Sequence, residues 1–231
     1  MNLAIIPARG GSKRIPRKNI KLFAGKPIIA YSIEAAIRSN LFEEVMVSTD
    51  DEEIAEIALH YGAKVPFMRS KKNADDFATT YAVLEEVIEE YGRRGIKIDV
   101  ACCIYPCSPL IKTESLEKAH KELLRKNLDS IFPVVEYTTP IQRALKVTDG
   151  KVDFLYPENI NTRSQDLERA YYDAGQFYWF RVNPFLKEKS VLLKKNECIE
   201  LSQYEVQDID NEIDWGIAEL KYSVLKNKRM L

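Results

Sequence analysis

A basic segment near the N-terminus, residues 7–19, carries the clearest chemistry in the sequence. Its Gly10-Gly11 pair allows backbone amides to approach a ligand closely. Five cations lie around that pair: Arg9, Lys13, Arg14, Arg17 and Lys18. An apolar run at residues 3–6 predicts a buried strand before the segment, and a helical pattern begins near Lys26. This order is typical of a phosphate-binding loop, although the spacing is neither that of a P-loop nor that of a dinucleotide fingerprint. A solvated basic loop would explain the charges but not the glycines.

A second candidate for chemistry is the acidic segment at residues 207–214. In an extended chain Asp208 and Asp210 point to the same side, because strand side chains alternate. Two carboxylates on one side suit Mg²⁺, which takes its remaining ligands from water and substrate phosphate. The alternative is that Asp210 or Asn211 caps the final helix. Asp214 is expected to begin that helix.

The elements that would position these residues alternate between strand and helix over the first 135 positions. The patterns predict strands at residues 3–7, 44–48, 64–67, 100–105 and 130–135, and helices at 28–39, 51–61, 79–91 and 113–126. Such alternation indicates an α/β fold with a doubly wound, mostly parallel sheet.

The alternation stops after residue 135. Runs at 142–147 and 152–155 flank Asp149-Gly150, which is a strong turn signal, and predict a β-hairpin. A polar, irregular stretch follows to residue 170, then a strand at 176–182 and a final helix at 214–225. We expect a single domain over 1–231, and the protrusion at 137–170 predicts a partner surface.

Composition narrows the classes of protein. The 34 basic and 35 acidic residues nearly balance, which argues against binding to nucleic acid or a membrane surface. No signal peptide is expected, and no run approaches the ~20 apolar residues of a membrane span. The four cysteines lack zinc-ligand spacing and are expected to be reduced, which favours the cytoplasm. With only two histidines, a histidine metal site or Ser-His catalysis is not expected.

The motifs resemble one known family. Residues 6–13 (Ile-Pro-Ala-Arg-Gly-Gly-Ser-Lys), with Pro16, Lys18-Asn19 and Gly25-Lys26-Pro27, are similar to the signature of the acylneuraminate cytidylyltransferases. These enzymes join CTP to the anomeric hydroxyl of a nine-carbon acidic sugar and release pyrophosphate. The likeness runs over nearly the whole chain. It implies a nucleotide-diphospho-sugar transferase-like fold, a Mg²⁺ cofactor, and a homodimer built by an arm at 137–170.

The resemblance also implies residue roles. It places Ala8, Arg9, Gly10, Lys13 and Asn19 around CTP, gives catalytic roles to Arg9, Lys18 and Asp210, and assigns Mg²⁺ to Asp208 and Asp210. The family has an arginine and a small hydroxyl residue eleven positions apart around the cytosine, and Arg69 and Thr80 match that separation. A planar guanidinium can hydrogen-bond a pyrimidine carbonyl. Thr80 also fits the first turn of the next helix.

The sugar is suggested by departures from the sialic acid synthetases. Those enzymes carry an Arg-x-Gln-Asp motif, which Arg163 and Gln165 match, and a guanidinium is a natural partner for a sugar carboxylate. They have glutamine where this chain has Tyr105, and usually Asn-Gly-Ala where it has Asp-Ala-Gly-Gln ending at Gln176. The chain is here more similar to the pseudaminic acid enzymes. Tyr105, Arg163, Gln165 and Gln176 are therefore expected to bind pseudaminic acid.

Three alternatives remain open from the sequence. In the first, the sugar is N-acetylneuraminate or legionaminate; in the second, it is 3-deoxy-manno-octulosonate. In the third, the chain is a catalytically silent nucleotide-binding module, since a fold does not by itself imply activity. The presence of both Asp208 and Asp210 argues against a silent module.

Overall fold

The computed structural model of the protein describes residues 1–75 and 77–228. Its strands are β1 (Asn2–Pro7), β2 (Leu22–Phe23), β3 (Lys26–Pro27), β4 (Glu44–Ser48), β5 (Val100–Ile104), β6 (Ser130–Glu136), β7 (Leu145–Thr148), β8 (Lys151–Phe154), β9 (Tyr171–Asp173), β10 (Phe177–Arg181) and β11 (Asn196–Glu200). Its α-helices are α1 (Ile28–Arg38), α2 (Glu52–His60), α3 (Thr80–Arg93), α4 (Thr113–Arg125), α5 (Val182–Glu188) and α6 (Glu212–Asn227).

A mixed sheet in the order β11-β6-β10-β5-β1-β4 forms the centre, and β9 pairs with β6. β1 lies parallel to both β4 and β5, and β6 lies parallel to β11. β10 is inserted antiparallel between β5 and β6, so β5 and β6 themselves run the same way. Five strands therefore share one direction, and the predicted α/β class with a mostly parallel sheet is confirmed.

Helices cover both faces of the sheet, and β1 is therefore buried on both. Its Ala4 and Ile6 pack in a cluster with residues of α1, α2 and α4, whereas Leu3 and Ile5 pack on the other face with residues of α3 and α5. Such burial on two sides produces the continuous apolar run by which a parallel strand is recognised in a sequence. The chain is thus doubly wound.

A separate small apolar cluster holds the basic segment in place. Ile15 is 1% exposed and packs with Phe23, Ile28 and Trp215, as does Ile209, which is also 1% exposed. Ile15 lies between the cations of residues 7–19, and Ile209 lies between Asp208 and Asp210. Both charged segments are therefore fastened to the body of the protein by an apolar residue in their midst.

The predicted strand at 64–67 is wrong. The structure forms only a single bridge there, between Met46 and Lys64. Pro66 follows two residues later, and its missing N–H prevents the ladder from continuing. β9, α5 and β11 were not predicted from the sequence.

The segment 137–170 contains the predicted hairpin, formed by β7 and β8. Asp149 and Gly150 have φ values of 51° and 78°, as a two-residue hairpin turn requires. All eight hairpin strand residues are exposed, among them Val147 and Val152, which face each other across the ladder. No helix in the described part of the chain is long and apolar enough to cross a membrane.

Candidate nucleotide-binding site

A cleft of about 250 Å³ opens where β1 and β5 end. The carboxyl ends of parallel strands are the usual ligand site of open α/β sheets. The walls come from the basic segment, Arg69, the start of α3 and the turn after β5. Seven of the residues predicted for the site line it together: Arg9, Lys13, Lys18, Asn19, Arg69, Thr80 and Tyr105.

The basic segment is shaped by Asn19, which is 5% exposed and lies in the 3-10 helix Lys18–Ile20. Its Nδ2 donates to the carbonyl of Arg9 over 2.9 Å. The thiol of Cys107 donates to Asn19 Oδ1 over 3.1 Å. Asn19 therefore joins the two ends of the basic segment to the turn after β5.

Ala8 and Gly10 do not line the cleft. The N–H of Ala8 donates to the carbonyl of Ser48 over 2.9 Å, and the N–H of Gly10 donates to Asp50 Oδ1 over 3.1 Å. A Cβ on Gly10 would lie 2.5 Å from Asp51 Oδ2. The close approach that this glycine permits is therefore to the start of α2 and not to the cleft.

Arg17 and Arg14 form ion pairs with carboxylates of other segments. The guanidinium of Arg17 contacts both oxygens of Asp51, the N-cap of α2, and also Glu53. Arg14 lies 2.7 Å from Asp210 Oδ2. Arg17 thus anchors the segment to α2, whereas Arg14 connects it to the acidic segment.

Arg69 is a buried cation at the wall of the cleft, 8% exposed. Its Nε donates to Ser48 Oγ over 3.1 Å and its Nη2 donates to the Ser48 carbonyl, so both acceptors are neutral. Burial lowers the pKa of Arg69, and the charges of Asp50 and Glu86 oppose that shift. A buried guanidinium held in this way is well suited to bind a carbonyl or anionic group in the cleft.

Thr80 and Tyr105 lie next to each other in the lining of the cleft. Thr80 is the first residue of α3, as one reading of the sequence expected, while Thr79 caps the helix by accepting from Ala82 N–H over 3.2 Å. Thr80 also lines the cleft, and its hydroxyl oxygen is 3.5 Å from that of Tyr105. Its place in the helix and its place in the cleft are compatible.

The acidic segment lies against the basic one. Lys18 Nζ donates to the carbonyl of Ile209 over 2.7 Å. The pKa of Asp208 is raised, first by burial and then by the negative charge of Asp210, while Lys18 opposes the rise. Asn211 rather than Asp210 caps α6, and Asp214 completes the capping box. The carboxylate of Asp210 is therefore not needed for the cap.

The two aspartates, Asp208 and Asp210, suit a cation that takes only a few of its ligands from the protein. Burial and the charge of Asp210 both raise the pKa of Asp208 and so disfavour its ionised form; a bound cation would favour that form, and carboxylate oxygens are the ligands that Mg²⁺ prefers. No group of three or more His, Cys, Asp or Glu side chains suited to a metal occurs in residues 1–75 and 77–228. Water and ligand oxygens would have to complete the coordination shell.

The residues predicted to bind sugar are not gathered in one place. Only Tyr105 lines the cleft. Arg163 and Gln165 are exposed around the 3-10 helix Ser164–Asp166, outside the cleft. Gln176 is 4% exposed and donates from Nε2 to the carbonyl of Glu205. Asp173 and Tyr178, which were not predicted for the site, lie behind Tyr105: the rings of Tyr105 and Tyr178 pack with centroids 5.4 Å apart, and Tyr178 donates to Asp173 Oδ2 over 2.8 Å.

A mostly parallel α/β sheet with a basic cleft at the ends of its strands is an arrangement suited to binding a nucleotide. The family model described as "Cytidylyltransferase" matches residues 3–224, and the chain belongs to that family of nucleotidyltransferases. The family expected from the motifs is confirmed.

Relatives support this assignment over the full chain. The chain is 42% identical over 224 residues to a pseudaminic acid cytidylyltransferase of Campylobacter jejuni, covering 96% of this chain and 97% of the relative. It is 33% identical over 232 residues to a CMP-N,N'-diacetyllegionaminic acid synthase of Legionella pneumophila, covering 94% of each. The fold is similar, with a TM-score of 0.69 and 18% identity, to that of a CMP:2-keto-3-deoxy-manno-octonic acid synthetase complexed with CTP, covering 98% and 99% of the two chains.

Proposed function

We propose that this protein transfers the cytidylyl group of CTP to pseudaminic acid. The anomeric hydroxyl oxygen attacks the α-phosphorus in line, the bond to the β-phosphate breaks, pyrophosphate departs, and the hydroxyl proton is released. The products are CMP-pseudaminic acid and pyrophosphate. The observation that carries the proposal is the cleft that joins the basic segment to Arg69, Thr80 and Tyr105 in a member of this family. The full-length relative at 42% identity favours pseudaminic acid as the sugar.

The roles follow from the position of each side chain. Arg9, Lys13 and Lys18 enter the cleft from one segment and would neutralise the triphosphate. Arg69 and Thr80, which also line the cleft, would bind the cytosine. Asp208 and Asp210 would hold Mg²⁺, which when bound supplies positive charge to the reacting phosphate. Lys18 holds the Asp208–Asp210 segment through the Ile209 carbonyl. The phosphate-binding and metal-binding groups therefore keep a fixed position relative to each other.

The positions of the two exposed sugar-binding candidates favour a site to which a second copy of the chain contributes. Arg163 and Gln165 lie on the arm at 137–170, outside the cleft of their own chain. We propose a homodimer in which the exposed apolar residues of the arm are covered and these two side chains approach the sugar from the partner. The free cysteines agree with a cytoplasmic location.

A pyrophosphate-release assay tests the proposal directly. The protein is incubated with CTP, Mg²⁺ and, in separate reactions, pseudaminic, legionaminic, N-acetylneuraminic and 3-deoxy-manno-octulosonic acids. We expect the highest kcat/KM with pseudaminic acid. A preference for another of these acids would overturn the choice of sugar and leave cytidylyl transfer standing. Pyrophosphate release with none of them would favour a silent module.

A further inference from the structure

Three side chains from distant parts of the sequence donate hydrogen bonds to backbone carbonyls of residues 205–209, where the acidic segment begins. The bonds are Gln176 Nε2 to the Glu205 carbonyl, Lys221 Nζ to the Val206 carbonyl over 2.6 Å, and Lys18 Nζ to the Ile209 carbonyl over 2.7 Å. The donors come from the turn before β10, from α6 and from the basic segment. We call these three donors, Gln176, Lys221 and Lys18, the carbonyl clamp.

The backbone at residues 206–210 depends on the carbonyl clamp because it has no regular secondary structure. In the part of the chain that the structure describes, no backbone–backbone hydrogen bond reaches these five residues. Backbone polar groups that no helix or strand pairs need other partners in a folded protein. The side chains of Val206 and Ile209 are 4% and 1% exposed and fix the stretch by packing, while the clamp fixes the direction of their carbonyls.

The clamped carbonyls lie next to the two aspartates in the chain. The Val206 carbonyl is two residues before Asp208, and the Ile209 carbonyl lies between Asp208 and Asp210. Because each peptide unit is rigid and planar, a held carbonyl restricts where the neighbouring side chains can point. Lys18 also lines the cleft, and its charge acts on Asp208. The effect of the backbone bonds alone is therefore tested more cleanly at the other two donors.

Lys221 is used in an unusual way for a lysine. Burial lowers its pKa, and no charged neighbour in the described part of the chain opposes that shift. Removing an ammonium from water costs free energy unless it is hydrogen-bonded, and the bond that Lys221 makes is to the neutral carbonyl of Val206. A partly buried cation directed at a backbone carbonyl indicates a role in placing that backbone.

Gln176 joins the same stretch to the cleft. Its own carbonyl accepts from the N–H of Tyr105 over 2.8 Å, and Tyr105 lines the cleft. Its side chain is 4% exposed and donates to the Glu205 carbonyl, while the Glu205 carboxylate forms a mostly buried ion pair with Lys112. Gln176 therefore fixes the start of the clamped stretch relative to the lining of the cleft.

We propose that Gln176 and Lys221 are positioning residues, which hold the backbone just before the two aspartates and so place Asp208 and Asp210 to bind Mg²⁺. The inference rests on the proposed function, in which these aspartates hold the metal. Mg²⁺ demands near-ideal octahedral geometry, so a site with few protein ligands depends on how each is oriented. The inference gives Gln176 a different role from the sugar contact that its motif suggested.

The substitutions Lys221→Met and Gln176→Met remove each donor while keeping an unbranched side chain. Mn²⁺ is titrated into each protein in the presence of CTP and followed by electron paramagnetic resonance, and the Mn²⁺ held by CTP alone is subtracted from a titration without protein. We expect both variants to bind Mn²⁺ about tenfold more weakly than wild type, as for residues that orient metal ligands. CTP binding without metal, measured by calorimetry, should stay within about twofold of wild type.

Further variants separate positioning from a general structural effect. Lys221→Arg keeps a cationic donor and should recover most of the Mn²⁺ affinity. Lys226→Met removes an exposed lysine from the same helix and should leave Mn²⁺ binding unchanged. Adding Lys221→Met to Asp210→Asn should change the Mn²⁺ affinity by less than about twofold, because the lysine acts through the aspartates. Thermal unfolding of each variant confirms that the titrations are made on folded protein.

The outcomes distinguish this inference from the proposed function. Mn²⁺ affinity within about twofold of wild type in both methionine variants overturns the inference and leaves cytidylyl transfer intact; if one variant does not fold, the other decides. A full additional loss of Mn²⁺ affinity in the Asp210→Asn background also overturns it. In Gln176→Met, a raised KM for the sugar with unchanged Mn²⁺ binding would return Gln176 to the sugar site. Absence of CTP turnover in the wild-type protein overturns the proposed function itself.

Discussion

Lys18 Nζ donates a hydrogen bond to the carbonyl of Ile209 over 2.7 Å and so joins the basic segment to the acidic one across almost the whole sequence. Ile209 lies between Asp208 and Asp210, and its side chain packs in the same apolar cluster as Ile15 of the basic segment. The two charged segments are consequently fixed to each other by a polar contact and by apolar packing.

The first prediction concerns the metal. Asp210→Asn keeps the size of the side chain and removes the charge that would hold Mg²⁺. We expect turnover to fall by about 10²-fold or more and Mn²⁺ binding, followed by electron paramagnetic resonance in the presence of CTP, to weaken in parallel. Glu212→Gln is the matched control, because Glu212 belongs to the same segment but pairs with Lys21 at an exposed position; it should leave metal binding unchanged. Normal Mg²⁺-dependent turnover of Asp210→Asn would remove the metal assignment.

The second prediction concerns the base. Arg69→Ala removes the donors facing the cleft, and calorimetry should show CTP binding weakened by about tenfold or more, with sugar binding less affected. Arg69→Lys keeps the charge but loses the planar fork, so it should recover only part of the affinity. Arg94→Ala is the control. Arg94 donates to the carbonyl of Pro66, three residues before Arg69, but it does not line the cleft. Unchanged CTP affinity in Arg69→Ala would place the pyrimidine elsewhere.

The third prediction concerns assembly. We expect the wild-type protein to be a dimer by light scattering, because the arm leaves Val147 and Val152 67% and 58% exposed on a hairpin that nothing in the described chain covers. Val147→Lys combined with Val152→Lys should produce a monomer with reduced sugar affinity. Leu59→Lys, at an exposed apolar position on α2, should leave the dimer intact. A wild-type monomer at assay concentration would refute the arm's proposed role.

Much of this architecture is readable from local patterns, and the rest is not, for a physical reason. Apart from the strand at 64–67, the alternation of strand and helix to residue 135 was predicted because these elements have their own periodicity, and two of the helices are closed by side-chain caps at Asp51 and Thr79. β9 has only three residues, and β10 lies between β5 and β6 through pairing that no local signal encodes. Long-range strand order is set by packing and not by propensity.

The same division applies to the site. Arg69 and Thr80 were predicted from the resemblance to a family that has such a pair eleven positions apart, and the structure brings them to one cleft. The packing of Tyr178 against Tyr105 was not predicted, because the two residues are far apart in the sequence and only the antiparallel insertion of β10 beside β5 brings them together. Gln176 was placed with the sugar by comparison of motifs, yet its side chain is committed to the Glu205 carbonyl. Motif position does not determine which way a buried side chain points.

The fourth prediction concerns stability and its dependence on pH. Hydrogen bonding from Arg17 lowers the pKa of Asp51 below its usual value. A carboxylate with a depressed folded-state pKa stabilises the fold above its unfolded pKa, and that contribution is lost as pH falls through the folded-state value. Arg17→Gln should therefore lower the free energy of unfolding at pH 7 by about 1 kcal/mol, a modest figure because the pair is partly exposed. The deficit should vanish in strong acid.

Urea unfolding at a series of pH values from neutral to strongly acidic measures this difference. Arg38→Gln is the control, since Arg38 pairs with Glu34 on the same helix at an exposed position, and a smaller loss is expected there. A deficit in Arg17→Gln that persists unchanged in acid would mean that Arg17 acts by packing or by its left-handed backbone conformation, with φ of 55°, and not through Asp51.

The last prediction concerns Cys107, whose thiol donates to Asn19 while Asn19 donates to the Arg9 carbonyl. Burial raises the pKa of Cys107 to about 12, so the group stays protonated and remains a donor at neutral pH.

Threonine and valine have similar shapes, but only threonine can donate to Asn19. We expect Cys107→Thr to keep the KM for CTP within about twofold of wild type, and Cys107→Val to raise it by about three- to tenfold. The reason is that a buried amide oxygen without a donor would turn and release Arg9 from its position beside the triphosphate. Steady-state kinetics at saturating sugar, with thermal unfolding of both variants, would measure the effect. Equal KM values in the two variants would show that Cys107 only fills space in the turn after β5.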